Sequence, residues 1–380
     1  MAGFQSYPTP HPTPLVDDDP LDALCLIRSR RVGPATFHRL IADHGSARAA
    51  LVALPGIAAA AGVDRYEICP RGVVLAEMKA GHALGARLLV HGQAGYPAAL
   101  MDIADAPPVL WVRGDAGLLQ RPMVAMVGAR NASSLGLRMA RRLSEVLGGA
   151  GQVVVSGLAR GIDAAAHEAA LETGTVAVMA GGVDVIYPPE HAALAAQIAA
   201  KGCLVSEQPP GLEPQARHFP QRNRIVAGLA RAVVVVEAAA KSGSLITARD
   251  AADLGRDVLA VPGHPFDARA AGCNMLIRDG ATLVRHAADV LEAVGVVAGA
   301  ERVVAEHAAV PTPTTPQRPL ADMAAVHQLI LDRLGPSPLA EDQLIRDLAM
   351  PSAAVAPALI ALELDGQIQR QAGGLLSRVN

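Results

Sequence analysis

Arg217, His218, Arg222 and Arg224 fall within the eight residues RHFPQRNR, a stretch without a single acid. Guanidinium groups are planar forks that grip phosphate or carboxylate oxygens through paired N–H donors, so this cluster points to an anionic ligand. Asn223 adds a donor and an acceptor, and Phe219 either stacks on a base or packs in a core. Arg222 and Arg224 are two apart and cannot share a helical face, so one is expected to meet ligand while the other braces a loop or carboxylate.

Three other segments carry related chemistry. In MVGARNASSLG, Gly128 permits a tight turn, Arg130 supplies a forked donor, and Ser133 or Ser134 caps the following helix and presents its free N–H groups. In SGLARGID, Ser156, Gly157 and Gly161 surround Arg160, and in KSGS, Lys241 precedes Ser242, Gly243 and Ser244. Each suits phosphate capture at a positive helix end; the alternative for each is a surface cation beside an ordinary helix cap. A GxGxxG loop, the mark of a dinucleotide site, is absent from the first junction. Asp163 and His167, four apart, could form an acid/base pair or two metal ligands. No third ligand accompanies them, and an Asp in a first helical turn is ordinary capping, so they read as structural. Glu237 reads as an ion-pair partner that orients Arg222 or Arg224 rather than as a catalytic carboxylate.

These loops need a scaffold that brings them to one edge. Short Val-rich runs (VLWVRGD, MVAMVGAR, QVVVSG, TVAVMAGG, CLVSE, AVVVVEA, DVLAVPG) alternate with amphipathic stretches between about Leu88 and Ala300. That is the pattern of a parallel sheet covered by crossover helices, with its ligand beyond the carboxyl ends of the strands. Residues 21–87 read as a small helical domain, broken at Gly33, Gly45 and Pro55-Gly56; the LPGI turn resembles a helix-hairpin-helix element, but a plain helix-joining turn is the expected reading. Residues 1–20 read as a disordered arm and 301–320 as a Pro-rich linker. Residues 321–380 follow the order of a winged helix, three helices and a hairpin. Seven acids oppose four arginines there, and the would-be recognition helix has no Lys or Arg. It is therefore expected to contact protein rather than DNA.

Composition narrows the functional classes. The 380 residues suit two or three domains, and 51% hydrophobic against 18% charged residues describes a chain that folds. Net charge is -3, with one Trp, four Tyr and four Phe. A broad cationic face and a multi-aromatic base platform are both excluded, so any nucleic-acid site must be local. Cys25, Cys69, Cys203 and Cys273 form no CxxC pair, which suggests neither zinc nor disulfides and fits a reducing cytoplasm. No stretch reads as a signal peptide or a membrane span.

The strings VAMVGAR, VSGLARGIDAAAHEAAL, VMAGGVDVIYPPEH, SEQPPG, FPQRNRIVAGLA, VVVVEAAAKSGSLITARDAADLGRDVLAVPG and AGCNMLIRDGA resemble, in order, the motifs of the DNA-processing protein DprA (Smf) family. The resemblance spans about Leu88 to Val284. It implies an α/β protein: an extended Rossmann-like parallel sheet flanked by an N-terminal SAM-like helical domain and a C-terminal winged-helix-like domain. It further implies a non-enzymatic single-stranded DNA-binding recombination mediator, without cofactor or metal, that protects incoming strands during natural transformation. Such a protein would help load RecA past single-strand-binding protein and form a homodimer through the Rossmann core. Carried over residue by residue, the strand-binding positions would be Arg130, Ser133, Ser156, Gly157, Arg160, Phe219, Arg222, Asn223, Arg224, Lys241, Ser242, Gly243 and Ser244. Ala129 and His191 stand where relatives often have Ser and Asn.

The competing reading is a nucleoside-monophosphate-processing Rossmann enzyme of the LOG, or lysine-decarboxylase-like, family. Its loop PGGxGTxxE corresponds here to KSGSLITARD, which lacks the catalytic Glu. A duplex-DNA regulator acting through the winged helix is disfavoured by that helix's acidic end.

Overall fold

The computed structural model describes residues 19–296, 323–371 and 374–379. Most of the expected arm, and the expected linker, lie outside these described residues.

Four helices come first: α1 (Pro20–Arg28), α2 (Pro34–His44), α3 (Ala47–Ala60) and α4 (Arg71–Ala83). Asp19 and Ser46 cap α1 and α3 by accepting the Leu21 and Ala49 N–H groups, and Pro20 and Pro34 open α1 and α2 where a missing N–H costs nothing. Leu24, Leu26, Phe37, Ile41 and Leu54 form their shared core. The LPGI segment is not a turn between helices, as the sequence suggested. It runs inside α3, because Ala47, Ala50, Leu54 and Ala58 make one buried face that extends through Pro55 and holds the helix together across the lost hydrogen bond.

The central unit comprises β1 (Arg87–Val90), β2 (Val109–Gly114), β3 (Met123–Val127), α5 (Ser134–Gly149), β4 (Val153–Ser156), α6 (Ile162–Ala170), β5 (Thr175–Val178), α7 (Ala192–Lys201), β6 (Cys203–Ser206), α8 (His218–Leu229), β7 (Ala232–Val235), α9 (Ser244–Asp253), β8 (Asp257–Ala260), α10 (Ala271–Arg278), β9 (Thr282–Leu283) and α11 (Ala287–Ala293). All seven expected strands are present. They form a nine-stranded sheet ordered β1-β2-β6-β5-β4-β3-β7-β8-β9. From β6 to β9 every pairing is parallel. The sheet is not wholly parallel, however: β2 runs antiparallel to both β1 and β6.

Strand residues alternate between two cores. Ala125, Val127, Val155, Val233 and Val235 pack with Ile225 and Leu229 of α8 and Ala248 of α9. Val124, Met126, Val154 and Val234 pack with Leu143 and Leu147 of α5, Ala165 of α6 and Leu291 of α11. This two-sided burial explains why the strands are apolar at every position. From β3 the chain works outward through β4 and β5 to β6, then returns to β7 on the other side. The switch point, where an open sheet of this type leaves a crevice, therefore lies between the carboxyl ends of β3 and β7.

The last unit has α12 (Met323–Arg333), β10 (Leu339–Ala340), α13 (Glu341–Leu348), α14 (Ser352–Leu364), β11 (Ile368–Gln371) and β12 (Leu375–Arg378). Its strands form an antiparallel sheet ordered β10-β12-β11. Ile330, Leu344, Leu359 and Leu376 form its core, which gives the expected winged helix. The Arg269 guanidinium, from the loop after β8, donates to the carbonyls of Asp332 at 2.6 Å and Leu334 at 2.9 Å. Arg333 donates to the Ala132 carbonyl at 2.8 Å, so the winged helix rests beside the loop after β3.

Candidate functional site

At the switch point, the loop after β3 divides its residues between scaffold and solvent. Ser133 is buried: its hydroxyl accepts the Gly136 N–H at 3.0 Å, and its own N–H donates to the Glu237 carboxylate at 2.8 Å. Glu237 is thus a cross-strand tie rather than the expected partner of Arg222 or Arg224. Burial raises its pKa, against the pull of the Ser133 N–H and of Arg269 at 3.8 Å. Arg130 remains exposed, its guanidinium carbon 5.7 Å from the centroid of the Phe219 ring.

The loop after β4 is held from within. Ser156 is fully buried and donates to the Met126 carbonyl at 2.6 Å. Asp163 accepts the Gly157 and Ala159 N–H groups at 3.1 and 3.3 Å, and burial raises its pKa. Gly161 has φ +74°, and a Cβ there would run into the Ala129 carbonyl, so this glycine is what lets the two loops touch. Arg160 points outward and pairs with Glu190.

His167, on α6, is fully buried. The Thr175 hydroxyl donates to the Val154 carbonyl, so it accepts from His167 Nδ1–H at 2.7 Å, which leaves Nε2 unprotonated and without a partner among the described residues. Burial, and then Arg222 and His191 nearby, push the ring's pKa down to about 3 from 6.5. A lowered histidine pKa gives stability that is complete above 6.5 and lost as pH falls toward 3. Between pH 7 and 5 the wild type should therefore lose about 2 kcal/mol more than His167→Gln, measured by urea unfolding at each pH. Parallel pH dependences would show that His167 does not carry this linkage.

The arginine-rich segment turns mostly inward. Arg222 is buried, donates to the Val178 carbonyl at 2.9 Å, and has its pKa pushed down to about 10 by burial, against the attraction of Asp163. It lines a water-sized cavity of about 10 Å³ with Gly157, Met179, Tyr187 and Phe219, and its Nε has no protein partner among the described residues. Arg224 lies elsewhere. It pairs with Asp105 at 3.3 Å and with Glu207, beside a cleft of about 650 Å³ that separates α2 from α8 and α9. Both arginines brace, where the sequence suggested one of each kind. Asn223 is half-buried. Lys241 and Gly243 are exposed before α9, and the half-buried Ser242 and Ser244 hydroxyls bond to each other at 2.7 Å.

The fold thus brings Arg130, Gly157, Phe219 and Arg222 together, with Arg160 alongside. It turns the side chains of Ser133 and Ser156 into the scaffold and sends Arg224 to the cleft. Sequence reasoning missed Tyr187, whose ring meets that of Phe219 edge-on at 5.6 Å. Its signal was a tyrosine in the loop after β5, in a chain with few aromatics. Among the described residues no cluster of three or more His, Cys, Asp or Glu is placed to hold a metal, and no helix is long and apolar enough to cross a membrane.

A doubly wound sheet carried between a helical unit and a winged helix defines a Rossmann-type protein of three-unit build. Residues 87–295 match the family described as DNA recombination-mediator protein A, residues 17–80 a DprA-like N-terminal HHH domain and residues 311–374 a DprA winged helix domain. Protein Smf of Synechocystis is 37% identical over 304 residues, covering 73% of this chain and 76% of that protein. DprA of Streptococcus pneumoniae is 47% identical over 198 residues, 52% of this chain and 70% of its own. The X-ray structure of the S. pneumoniae protein superposes with a TM-score of 0.55 at 40% identity, covering 59% of this chain and 77% of that one. A Helicobacter pylori DprA structure, described in terms of its single-stranded DNA binding mode, gives 0.52 at 29% identity, covering 56% and 96%. The chain belongs to the DNA recombination-mediator protein A (DprA/Smf) family, whose role is in DNA processing.

Proposed function

We propose that this protein binds single-stranded DNA across the crevice between β3 and β7 and acts on it without cleaving it. The observation that carries the reading is Arg130, exposed at the switch point and set over the Phe219 ring: a free guanidinium beside a ring is a phosphate contact beside a base contact. The buried carboxylates nearby support binding over catalysis, since Asp163 and Glu237 are both engaged with backbone N–H groups. Few cations are available, so the grip is local and independent of sequence. By its family resemblance the protein protects incoming strands in the cytoplasm, helps load RecA past single-strand-binding protein during natural transformation, and forms a homodimer through the Rossmann core.

The test is a titration of labelled single-stranded oligonucleotide at several salt concentrations, with a parallel assay for base release from nucleoside monophosphates. A log–log salt slope of about -2 to -3, as three or four phosphates would give, with no base release, is expected. Base release without strand binding would instead select the nucleotide-processing enzyme.

Glu190 bears on the same site. Its carboxylate occupies Arg160, and both side chains are exposed. An exposed pair of this kind is weak, and its acid repels an approaching phosphate. Glu190→Gln should therefore tighten oligonucleotide binding about threefold to tenfold at low salt, with the gain fading as salt rises. Unchanged or weaker binding would place Arg160 outside the contact.

A further inference from the structure

We propose that Tyr187 is a base-stacking residue and that, with Phe219, it forms a two-ring step beside the Arg130 guanidinium. The proposal rests on the single-stranded DNA reading above. Three side chains from two loops and one helix stand in series. Arg130 lies 5.7 Å from the Phe219 ring, and the Phe219 and Tyr187 centroids are 5.6 Å apart at 62°. A cation followed by two rings suits a phosphate followed by unstacked bases of a single strand, and no duplex presents those bases, because they are stacked inside.

The state of the Tyr187 side chain supports a ligand-facing role over a packing one. A ring that served the core would be buried, yet Tyr187 is 49% exposed. No hydrogen bond holds its hydroxyl among the described residues, and its contact with Phe219 is edge-on, which leaves ring face open to a further aromatic plane. Phe219 is half-buried, and both rings line the water-sized cavity together with Arg222. The chain has too few aromatics for a broad platform, but a two-ring step requires only these two.

The experiment compares the full chain with its Tyr187→Ala and Tyr187→Phe variants. Each is titrated by fluorescence anisotropy with an oligo-dT strand and with an abasic sugar-phosphate strand of equal length. Wild type should prefer the strand that has bases. Tyr187→Ala should bind oligo-dT about tenfold more weakly and leave abasic affinity unchanged, whereas Tyr187→Phe should match wild type. A base preference in Tyr187→Ala equal to that of wild type overturns the proposal, and so does an equal loss in Tyr187→Phe, which would assign the effect to the hydroxyl. If wild type binds neither strand, the single-stranded DNA reading itself falls, a result distinct from either of these. In wild type alone, irradiation of an oligonucleotide that contains 5-iododeoxyuridine should attach it to the peptide bearing Tyr187. Attachment solely to other peptides counts against the proposal, and this arm holds even if Tyr187→Ala does not fold.

Discussion

Arg130→Glu should weaken single-stranded DNA binding by roughly 30- to 150-fold and leave the unfolding free energy within about 1 kcal/mol of wild type. The asymmetry follows from where the side chain sits. Arg130 is exposed, and its described contact with the protein is the Phe219 ring, so its loss removes a cation–π interaction of about 0.5–1 kcal/mol at most from the fold. Against a strand the same guanidinium makes charge-assisted hydrogen bonds of about 1.5–3 kcal/mol, and the introduced carboxylate adds repulsion. Arg130→Ala should lose less and lower the salt slope by about 0.7, the share of a single phosphate on a single strand. Anisotropy titrations at several salt concentrations read both quantities. Wild-type affinity in Arg130→Glu would move the strand away from the loop after β3.

What the sequence made legible was the set of loops, and what it hid was the direction of the side chains within them. The seven Val-rich runs declared themselves because burial on both faces leaves no room for polar alternation. β9, two exposed residues long, left no such pattern, and the antiparallel course of β2 depends on the path of the chain rather than on its local residues. Gly128 stood out as a tight turn, and Gly157 and Gly161 as the borders of a loop at a helix start. The partner of each polar side chain did not. Ser133 meets Glu237 from 104 positions away, and Arg224 on α8 meets Asp105 and Glu207, which come from two other loops of the central unit. A serine before a helix reads alike whether it caps that helix or faces a ligand; burial decides, and burial is a tertiary property. Tyr187 stayed hidden for the converse reason, because a single exposed ring has no periodicity to reveal it.

Arg222 is held within the scaffold by the Val178 carbonyl and lines the same cavity as Phe219 and Tyr187, so its substitution is expected to act on the fold first. Arg222→Met should destabilise the core by about 3–5 kcal/mol, because it removes the positive charge that faces the buried Asp163 carboxylate. The loss depends on pH. Burial already raises the pKa of Asp163, and without Arg222 it rises further. An acid whose folded pKa is raised gives stability below its unfolded value of 3.8 and loses it as pH rises through the folded value, so the variant's deficit should be larger at pH 7.5 than at pH 5. A second substitution isolates the contact. A Cβ at Gly157 would collide with the Arg222 guanidinium, so Gly157→Ala should displace that group and be strongly destabilising in wild type. In Arg222→Met the flexible thioether can yield to the new methyl, so the same change should be nearly neutral, and the double-mutant cycle should show a coupling of about 2 kcal/mol or more. Urea unfolding of the four proteins measures it. Additive effects would mean that the two residues do not constrain each other, and a wild-type midpoint in Arg222→Met with binding lost would make Arg222 a direct contact instead of a scaffold residue.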